Sequence, residues 1–221
     1  PRLFVDRAFS VAGAGTVVTG TLWGSELAAG DRVTVVPGGA EGRVRGIQVH
    51  DEAVDAASGG RVALNVAGVD RDDAPRGSCV VRTGDGWRPS QLIDVAIDWL
   101  PAGGGPLRTR RRLQAFLGTV EVAATCVLLD ADEISPGGRG YAQLRLEAPV
   151  VAAAADRLVL RSAQRRTVAG AVVLDPAPAR HGRGSTAAGR LAAIERGDPV
   201  ELLRVRLADA AGDGIPAGAL S

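Results

Sequence analysis

The sequence has no lysine, no methionine and only two cysteines among its 221 residues. Because lysine is absent, every basic side chain is an arginine, and the abundant Ala, Gly and Asp lead us to attribute this to codon usage. Cys79 and Cys126 lie far apart and lack the spacing of metal ligands. We therefore expect two buried, reduced thiols in a cytoplasmic protein, and no metal site.

Long apolar segments and a signal sequence are also missing. No apolar run approaches the roughly 18 residues that a membrane-spanning helix needs, and the first ten residues lack a basic segment followed by an apolar stretch. We therefore expect no membrane partner. The formal net charge is only +1, so no overall field drives the chain onto nucleic acid. Because the chain starts on Pro1 and contains no methionine, we expect a fragment of a longer protein.

The residues that are present alternate as in β-strands. Short runs rich in Val and Thr, such as "GTVVTGTLW" and "GRVALNVAG", are separated by Gly- and Pro-containing turns. Several short strands at regular spacing, without a helical period between them, predict a small sandwich or barrel. A second set of alternating runs predicts another all-β domain of similar size. In the first run, "RLFVDRAFSV", the alternation predicts that one face carries Leu3, Val5, Arg7, Phe9 and Val11.

These patterns divide the chain into four segments. We predict a first β-barrel over residues 1–85 and a second over residues 91–175. A linker rich in Pro, Arg and Gly follows over residues 176–185, and a helical segment occupies residues 186–221.

Capping signals mark two helices in the last segment. The first has Ser185 or Thr186 as N-cap and Gly197 just past its end. The second begins with a capping box, with Asp198 as N-cap and Glu201 three residues later. We expect these helices to open a further helical module.

The glycine-rich stretch near the N-terminus raises the question of a nucleotide-binding loop. Gly15 and Gly20 have the spacing of the two glycines in a phosphate-binding loop, but Thr21 replaces the lysine that must follow. A dinucleotide loop fails as well, because Val18 stands at the third glycine position and no helical pattern follows. We predict instead a strand, a turn at residues 12–15 and a second strand bent at Gly20.

The segment "FVDRAFSVAGAGTVVTGTLWGSELAAGDRVTVVP" resembles the start of the second domain of translational GTPases, including elongation factor Tu. The resemblance extends through "RVRGIQVHDEAVDAASGGRVALNVAGV" and "APRGSCVV". The second β segment, ending "LVLRSAQRRTVAGAVVLDP", resembles the third domain of these proteins. The resemblance covers most of the chain and implies a mainly β fold, with two consecutive small β-barrels followed by a short helical segment.

Within this family, the chain is most similar to bacterial selenocysteine-specific elongation factors. Its first strand has Asp6 and Arg7 where elongation factor Tu has two acidic residues, and Arg61 stands where that factor has Asn. The chain also continues past the second barrel into a linker and helices. In the selenocysteine factors such helices begin winged-helix modules that bind an mRNA hairpin.

The resemblance implies a pocket for the aminoacyl end of a tRNA, lined here by Asp6, Arg7, His50 and Arg61. A selenol is largely anionic at neutral pH, whereas serine, its precursor on the same tRNA, is neutral. Arg7 and Arg61 would offer permanently charged donors to the anion, and His50 a further donor. Asp6 would hold an arginine in place or accept from the aminoacyl ammonium. Without the resemblance, both arginines read as ordinary side chains on a barrel rim.

Selectivity would follow from charge. With serine bound, the two guanidinium groups would lose solvent without gaining an anion, at a cost on the order of 3–5 kcal/mol. Such a cost separates the two substrates by about two to three decades in affinity.

The segment "LRTRRRL" concentrates four arginines, Arg108, Arg110, Arg111 and Arg112. A charge cluster is usually a solvated face, but the resemblance implies contact with phosphates of the tRNA acceptor and T stems. Arg165 and Arg166 are a weaker candidate for such a contact. We expect His181, in the linker, to be solvated.

The resemblance implies a binding module in this chain rather than an enzyme. The sequence shows no Ser/His/Asp grouping, no metal cluster and no plausible pair of catalytic carboxylates, so we assign no catalytic residue and no cofactor here. GTP, Mg and GTP hydrolysis would belong to a preceding domain. The implied partners are selenocysteinyl-tRNA, the ribosome and, through further modules, an mRNA hairpin, and we expect a monomer.

Three alternatives stay open on the residues alone. The chain could belong to another translational GTPase that carries ordinary aminoacyl-tRNA. It could belong to an enzyme subunit built on the same barrels, such as the GTPase-like subunit of sulfate adenylyltransferase. It could also be a standalone β-barrel interaction domain.

Overall fold

The computed structural model describes residues 1–11, 15–182, 186–197 and 199–200. The predicted turn at residues 12–15 therefore lies almost wholly outside the described residues, and so does most of the second predicted helix. Within the described residues, strands dominate and one α-helix follows them. The expected fold class, two small β-barrels followed by a short helical segment, is confirmed.

Nine strands build the first barrel and its flanking ribbons. They are β1 (Arg2–Val11), β2 (Gly15–Trp23), β3 (Leu27–Ala28), β4 (Arg32–Val36), β5 (Glu41–Val49), β6 (Glu52–Val54), β7 (Ala56–Ala57), β8 (Gly60–Ala67) and β9 (Cys79–Arg82). The sheet order is β4-β9-β1-β2-β8-β5-β6, and pairing of β4 with β5 closes it. Strands β3 and β7 form a separate two-stranded ribbon.

Alternation along each strand fills the first barrel. In β2, Val18 and Leu22 point inward, and in β8 Val62 and Leu64 do so. Together with apolar residues of the other strands, they form one core cluster of Val, Leu and Ile side chains. Residues at alternate positions of the sequence thus face the core, as the geometry of a β-strand requires.

Strand β1 changes face halfway along its length. Leu3 and Val5 are fully buried, whereas Arg7 and Phe9 are exposed. The pairing with β2 shifts between Val5 and Arg7, so Asp6 is the extra residue of a β-bulge. The expectation that all the odd residues of this strand share one face is wrong beyond Val5, because the bulge inverts the alternation.

Eight strands build the second barrel and one short ribbon. They are β10 (Ser90–Trp99), β11 (Leu107–Arg108), β12 (Arg111–Leu117), β13 (Val120–Leu128), β14 (Glu133–Ile134), β15 (Arg139–Val150), β16 (Arg157–Arg161) and β17 (Thr167–Asp175). The closed order is β10-β15-β13-β12-β16-β17, while β11 and β14 pair separately. Single 3₁₀ turns occur at Arg71–Asp73 and Pro101–Gly103.

The chain forms two compact units. The first comprises Pro1–Gln91, Gln114–Ala123 and Leu146–Ala152. The second comprises Leu92–Leu113, Ala124–Arg145 and the described residues from Ala153 onward. Contiguous domain boundaries at residues 85 and 91 stay a prediction.

One α-helix, α1 (Ala187–Arg196), follows the second barrel. Its buried Leu191 packs against Ala96 of β10 and Leu174 of β17. Gly197 ends the helix in the left-handed region at φ 67°, and its N–H donates to the carbonyl of Ile194. The predicted helix and its glycine terminator are therefore confirmed. No helix in the described part of the chain has the length and apolarity needed to cross a bilayer.

Both cysteines are free and buried, as the sequence predicts. Burial raises the pKa of the Cys126 thiol to about 12. Because only the thiolate is reactive, about one molecule in ten thousand carries it at pH 8. We expect iodoacetamide to leave Cys126 unmodified in the folded chain and to alkylate it in urea, as measured by peptide mass spectrometry. A cysteine placed at the exposed Ser135 should react in both conditions; rapid labelling of Cys126 without urea would contradict this burial.

Candidate functional site

A carboxylate bridges two arginines on the outer surface of the first barrel. Asp6, at the bulge of β1, accepts a hydrogen bond of 3.1 Å from Nη2 of Arg61 in β8. It also forms an ion pair with Nη1 of Arg76, in the loop before β9. We call Asp6, Arg61 and Arg76 the Asp6 cluster. The hydrogen bond from Arg61 is the main cause that lowers the pKa of Asp6 below its ordinary value of 3.8.

The bulge brings Arg7 to the outer face that carries the Asp6 cluster. Without the extra residue, strict alternation would turn Arg7 toward the core, since Leu3 and Val5 are buried. Asp6 projects from the barrel at the bulge, and its carboxylate reaches Arg61 across the intervening strand β2. The side chain of Asp6 is 20% exposed, against 60% for Arg61 and 63% for Arg76. Each guanidinium group is therefore held by Asp6 and remains largely exposed to solvent.

Arg7 lies on the same outer face as Arg61. It pairs in register with Thr19, and Thr19 with Ala63, so Arg7 and Arg61 are two strands apart and two residues out of line. Strand spacing and rise put their Cα atoms about 12 Å apart. Two extended arginine side chains span that gap, so both guanidinium groups can reach one small ligand.

His50 lies in the tight turn between β5 and β6. Val49 pairs with Glu52, which leaves His50 and Asp51 as the two turn residues, both with positive φ. This is the backbone of the common two-residue hairpin turn. The side chain is exposed, and the turn follows the end of β5 that pairs with β8. His50 is thus placed near the end of β8 where Arg61 lies, and its role stays a prediction.

The four clustered arginines do not form a single patch. Arg108 in β11 pairs with Glu133, with 3.3 Å between Nε and Oε2. Arg111 in β12 is half-buried and stacks on the ring of Trp99, with its guanidinium carbon 5.0 Å from the ring centroid.

The other two arginines of that segment are exposed. Arg112 lies on the outward face of β12, next to the half-buried Arg111. Arg110 occupies the turn before β12 with φ 66°, a left-handed conformation for a side chain that is not glycine. The segment thus presents its arginines in different directions, although they are nearly consecutive in sequence.

A buried carboxylate ties the linker and helix α1 to the second barrel. Asp94 of β10 is fully buried. Its Oδ2 lies 2.6 Å from Nε2 of His181 and 2.8 Å from Nη2 of Arg190, and Nε2 of Gln143 donates to its Oδ1 at 3.1 Å. We call Asp94, Gln143, His181 and Arg190 the Asp94 cluster. Burial raises the pKa of Asp94, and the hydrogen bond from His181 opposes that rise.

The expectation of a solvated His181 is therefore wrong. Its side chain is only 12% exposed, because the linker lies against the barrel instead of extending into solvent. Gln143 donates to the carbonyl of Ala179 at 2.9 Å, and Arg145 donates to the carbonyl of His181 at 3.1 Å. Each contact fastens the backbone of the linker to β15.

A second set of contacts holds the end of helix α1. The hydroxyl of Tyr141 donates to Glu195 at 2.7 Å, and Arg139 pairs with the same carboxylate. Arg139 also pairs with Asp98 of β10. The hydrogen bond from Tyr141 lowers the pKa of Glu195. The helix is thus anchored at Arg190, Leu191 and Glu195, near its middle and near its end.

Sequence reasoning missed Arg76 and the Asp94 cluster. Arg76 stands in a Pro-Arg-Gly turn, a setting that reads as a solvated loop. Asp94 and Asp98 are both outward-reading polar positions of the same strand, yet Asp94 is fully buried and the side chain of Asp98 is 49% exposed. The sequence signal for this cluster is an aspartate between apolar residues of β10, together with a histidine in a Pro-rich linker.

No group of three or more His, Cys, Asp or Glu side chains positioned to hold a metal ion occurs among the residues that the structure describes. The chemical capacity of the Asp6 cluster is instead that of an anion-binding surface. Its arginines are fixed on one side by Asp6 and present further donors outward.

Comparison with known proteins gives a consistent match. The family model described as "Selenocysteine-specific elongation factor, beta-barrel domain" matches residues 95–180. A selenocysteine-specific elongation factor from Desulfomicrobium baculatum is 33% identical over 96% of this chain and 34% of its own length. One from Haemophilus influenzae is 31% identical over 82% of this chain and 29% of its own length.

Other relatives match a smaller part of the chain. Elongation factor 1-alpha of Pyrobaculum arsenaticum is 36% identical, but over 48% of this chain and 24% of its own length. The chain spans about a third of the length of the relative from Desulfomicrobium baculatum. The match to the selenocysteine-specific factors therefore runs through both barrels, whereas the match to elongation factor 1-alpha accounts for about half of the chain.

Proposed function

Because this chain belongs to the selenocysteine-specific elongation factor family, we propose that its two barrels hold selenocysteinyl-tRNA for delivery to the ribosome. The aminoacyl end would lie on the first barrel at the Asp6 cluster. The whole protein would bind GTP with Mg and hydrolyse it in a separate domain. An mRNA hairpin would be bound by further modules. This chain would supply binding groups and no catalytic residue.

The observation that carries the proposal is the bulge of β1. It turns Arg7 outward, onto the face where Asp6 pairs with Arg61. A selenolate placed here would meet guanidinium donors whose charge is independent of pH in the physiological range. Seryl-tRNA would present a neutral hydroxyl to the same donors. The difference between the two ligands is one unit of charge at nearly the same shape, which is what such donors discriminate.

The solvent exposure of Arg61 determines when selectivity can develop. Arg61 is 60% exposed and shares Asp6 with Arg76, so on the barrel alone its charge is solvated and partly balanced. A cost of several kcal/mol for an unpaired guanidinium needs exclusion of water. Selectivity would therefore develop only when a second surface of the whole protein closes over the aminoacyl group.

The tRNA stems would be contacted by the arginines of residues 108–112. Arg112 is exposed on the outward face of β12, a position suited to a phosphate. Arg108 pairs with Glu133 and Arg111 stacks on Trp99, so a phosphate contact by either would displace or share those partners.

The test is the selectivity of the whole protein for selenocysteinyl-tRNA over seryl-tRNA, measured as a ratio of dissociation constants. Arg61→Asn should reduce this ratio by about ten- to a hundredfold, since a hydrogen bond to a charged group contributes roughly 1.5–3 kcal/mol. Affinity for seryl-tRNA should not fall and should rise to the extent that Arg61 is desolvated beside serine, because the variant removes that unpaired charge.

Arg32→Asn provides a matched control. Arg32 lies in the same barrel, is 67% exposed and pairs with Glu41 at 3.1 Å, much as Arg61 pairs with Asp6. It should leave the ratio unchanged. An unaltered ratio for Arg61→Asn would remove that residue from the pocket. Equal affinities of the unmodified protein for the two tRNAs would favour a factor that carries ordinary aminoacyl-tRNA, the alternative that the elongation factor 1-alpha matches fit in part.

A further inference from the structure

An open cleft of about 950 Å³ lies on the second unit and shares no residue with the Asp6 cluster. Three arginines line it, and each comes from a different part of the chain. Arg110 comes from the turn before β12, Arg145 from β15 and Arg180 from the linker. Two aspartates, Asp130 and Asp132, lie in the segment between β13 and β14 and line the same cleft.

Docking of the linker assembles the cleft. His181 is fixed by Asp94, and its carbonyl accepts from Nη2 of Arg145. The preceding residue, Arg180, is thereby brought to the edge of the cleft. In a linker that extended into solvent, Arg180 would contribute nothing to this site. The contribution of Arg180 to the positive lining therefore depends on the Asp94 cluster.

The three guanidinium groups are close enough to affect one another. The pKa of Arg145 is lowered from its ordinary value by burial first, and then by the charges of Arg180 and Arg110. Like charges gathered in this way destabilise the unliganded cleft and are relieved when an anion binds between them. Arg110 is held there by a backbone with φ 66°, an uncommon conformation for this residue type.

The aspartates narrow the choice of ligand. Both oxygens of Asp130 accept from the backbone N–H of Tyr141 at 3.2 Å, so this carboxylate is fixed at the edge of the cleft. A polyacidic peptide would be repelled by Asp130 and Asp132. RNA, by contrast, alternates phosphates with ribose 2′-hydroxyls, and a hydroxyl donates to a carboxylate. The volume of the cleft exceeds that of one phosphate group.

We propose that this cleft binds a segment of RNA backbone, with phosphates at Arg110, Arg145 and Arg180 and ribose hydroxyls at Asp130 and Asp132. The inference rests on the proposed function only in taking RNA as the ligand. It assigns a contact made by residues other than those of the aminoacyl pocket. Arg180 enters the site only through the docked linker, whereas Arg110 and Arg145 belong to the barrel itself.

The test uses the 221-residue chain and three labelled probes. These are a short oligouridylate, the deoxyuridine oligomer of the same length, and a folded tRNA transcript without an amino acid. The double variant Arg110→Gln/Arg180→Gln should lose affinity for RNA on the order of tenfold. It should also reduce the salt slope of oligouridylate binding by about 1.4, since each phosphate contact on a single strand contributes about 0.7.

The matched control is Arg157→Gln/Arg196→Gln. Both arginines are exposed, belong to the second unit and lie outside the cleft, so the change in net charge is the same. We expect it to leave both quantities unchanged. Arg180→Gln alone should give a smaller loss in the same direction, which keeps the test valid if the change at Arg110 disturbs β12.

The contribution of Asp130 and Asp132 is tested by comparing RNA with DNA. Oligouridylate should bind more tightly than the deoxy-oligomer, and Asp132→Asn should narrow that difference. A loss of affinity with either RNA probe in the cleft variant supports the site, and the probe that responds identifies tRNA or unstructured RNA as its source. Equal losses in the cleft and control variants, or no loss with either RNA, would overturn the proposal. Equal affinity of the unmodified chain for RNA and DNA would remove the aspartates from it.

This outcome is separable from that of the proposed function. Selectivity between selenocysteinyl-tRNA and seryl-tRNA compares two ligands with the same RNA, so the cleft variants should leave the ratio intact. Conversely, Arg61→Asn should not alter binding of the tRNA transcript without an amino acid.

Discussion

Replacing Gly20 with alanine is expected to lower the free energy of unfolding of the first unit by about 3 kcal/mol or more. Gly20 lies in β2 opposite Val5, beside the bulge of β1. A Cβ atom built there would overlap the carbonyl oxygen of Phe4 and stand 2.9 Å from Cδ2 of Leu3. Because the obstacle is backbone, no rotation of a side chain relieves it, and β1 or β2 must shift.

Gly46→Ala is the matched control for this change. Gly46 lies in β5 of the same barrel, and a Cβ there meets nothing within 4 Å. The control should leave the urea midpoint of the chain nearly unchanged, whereas Gly20→Ala should lower it markedly. Since the overlap is next to Asp6, we also expect Gly20→Ala to disturb the Asp6 cluster. Equal midpoints for the two variants would mean that β1 and β2 are less closely apposed than described.

The Asp94→Ala variant is expected to be destabilised by about 3–5 kcal/mol, the usual effect of removing one partner from a buried ion pair. The change leaves Arg190 and His181 with side chains 13% and 12% exposed and without their shared acceptor. Arg190 retains Asp175, but Gln143 also loses a partner. We expect helix α1 to lose protection in hydrogen exchange before the barrel does.

Asp98→Ala tests whether the effect depends on burial. Asp98 lies on the same strand and also pairs with an arginine, Arg139, but its side chain is 49% exposed. Exposed ion pairs contribute about 0–1 kcal/mol, so this variant should stay close to the unmodified chain in urea unfolding. Comparable losses for the two aspartates would show that the Asp94 cluster is not the principal attachment of the helix.

The barrels could be predicted from the sequence because the residue pattern that specifies each strand is local. Val and Thr at alternate positions, with Gly and Pro at the turns, specify which face of each strand is buried, and the structure uses that pattern in β2 and β8. The bulge at Asp6 could not be predicted in this way, since one inserted residue leaves the composition of the strand unchanged. It lies where β2 passes closest to β1, at Gly20, and only the pairing of the strands reveals this.

Prediction of the site was limited by long-range contacts. The resemblance to a family indicates Asp6 and Arg61, and the structure joins them by an ion pair. Arg76 completes that cluster from a loop that the sequence pattern describes only as a turn. A Pro- and Arg-rich linker usually lies in solvent, which is why the sequence predicts a solvated His181. Its acceptor is 87 residues away, and no local pattern indicates that the two meet.

The docked linker also determines the path of the chain after the second barrel. A free tether of the predicted ten-residue length would let its ends move over about 17 Å in any direction. Here the tether is held at Ala179 and His181, and the helix that follows is held at Arg190. The direction of helix α1 relative to the second barrel is therefore set by these contacts. A force applied at Arg196 would be transmitted to the barrel through them.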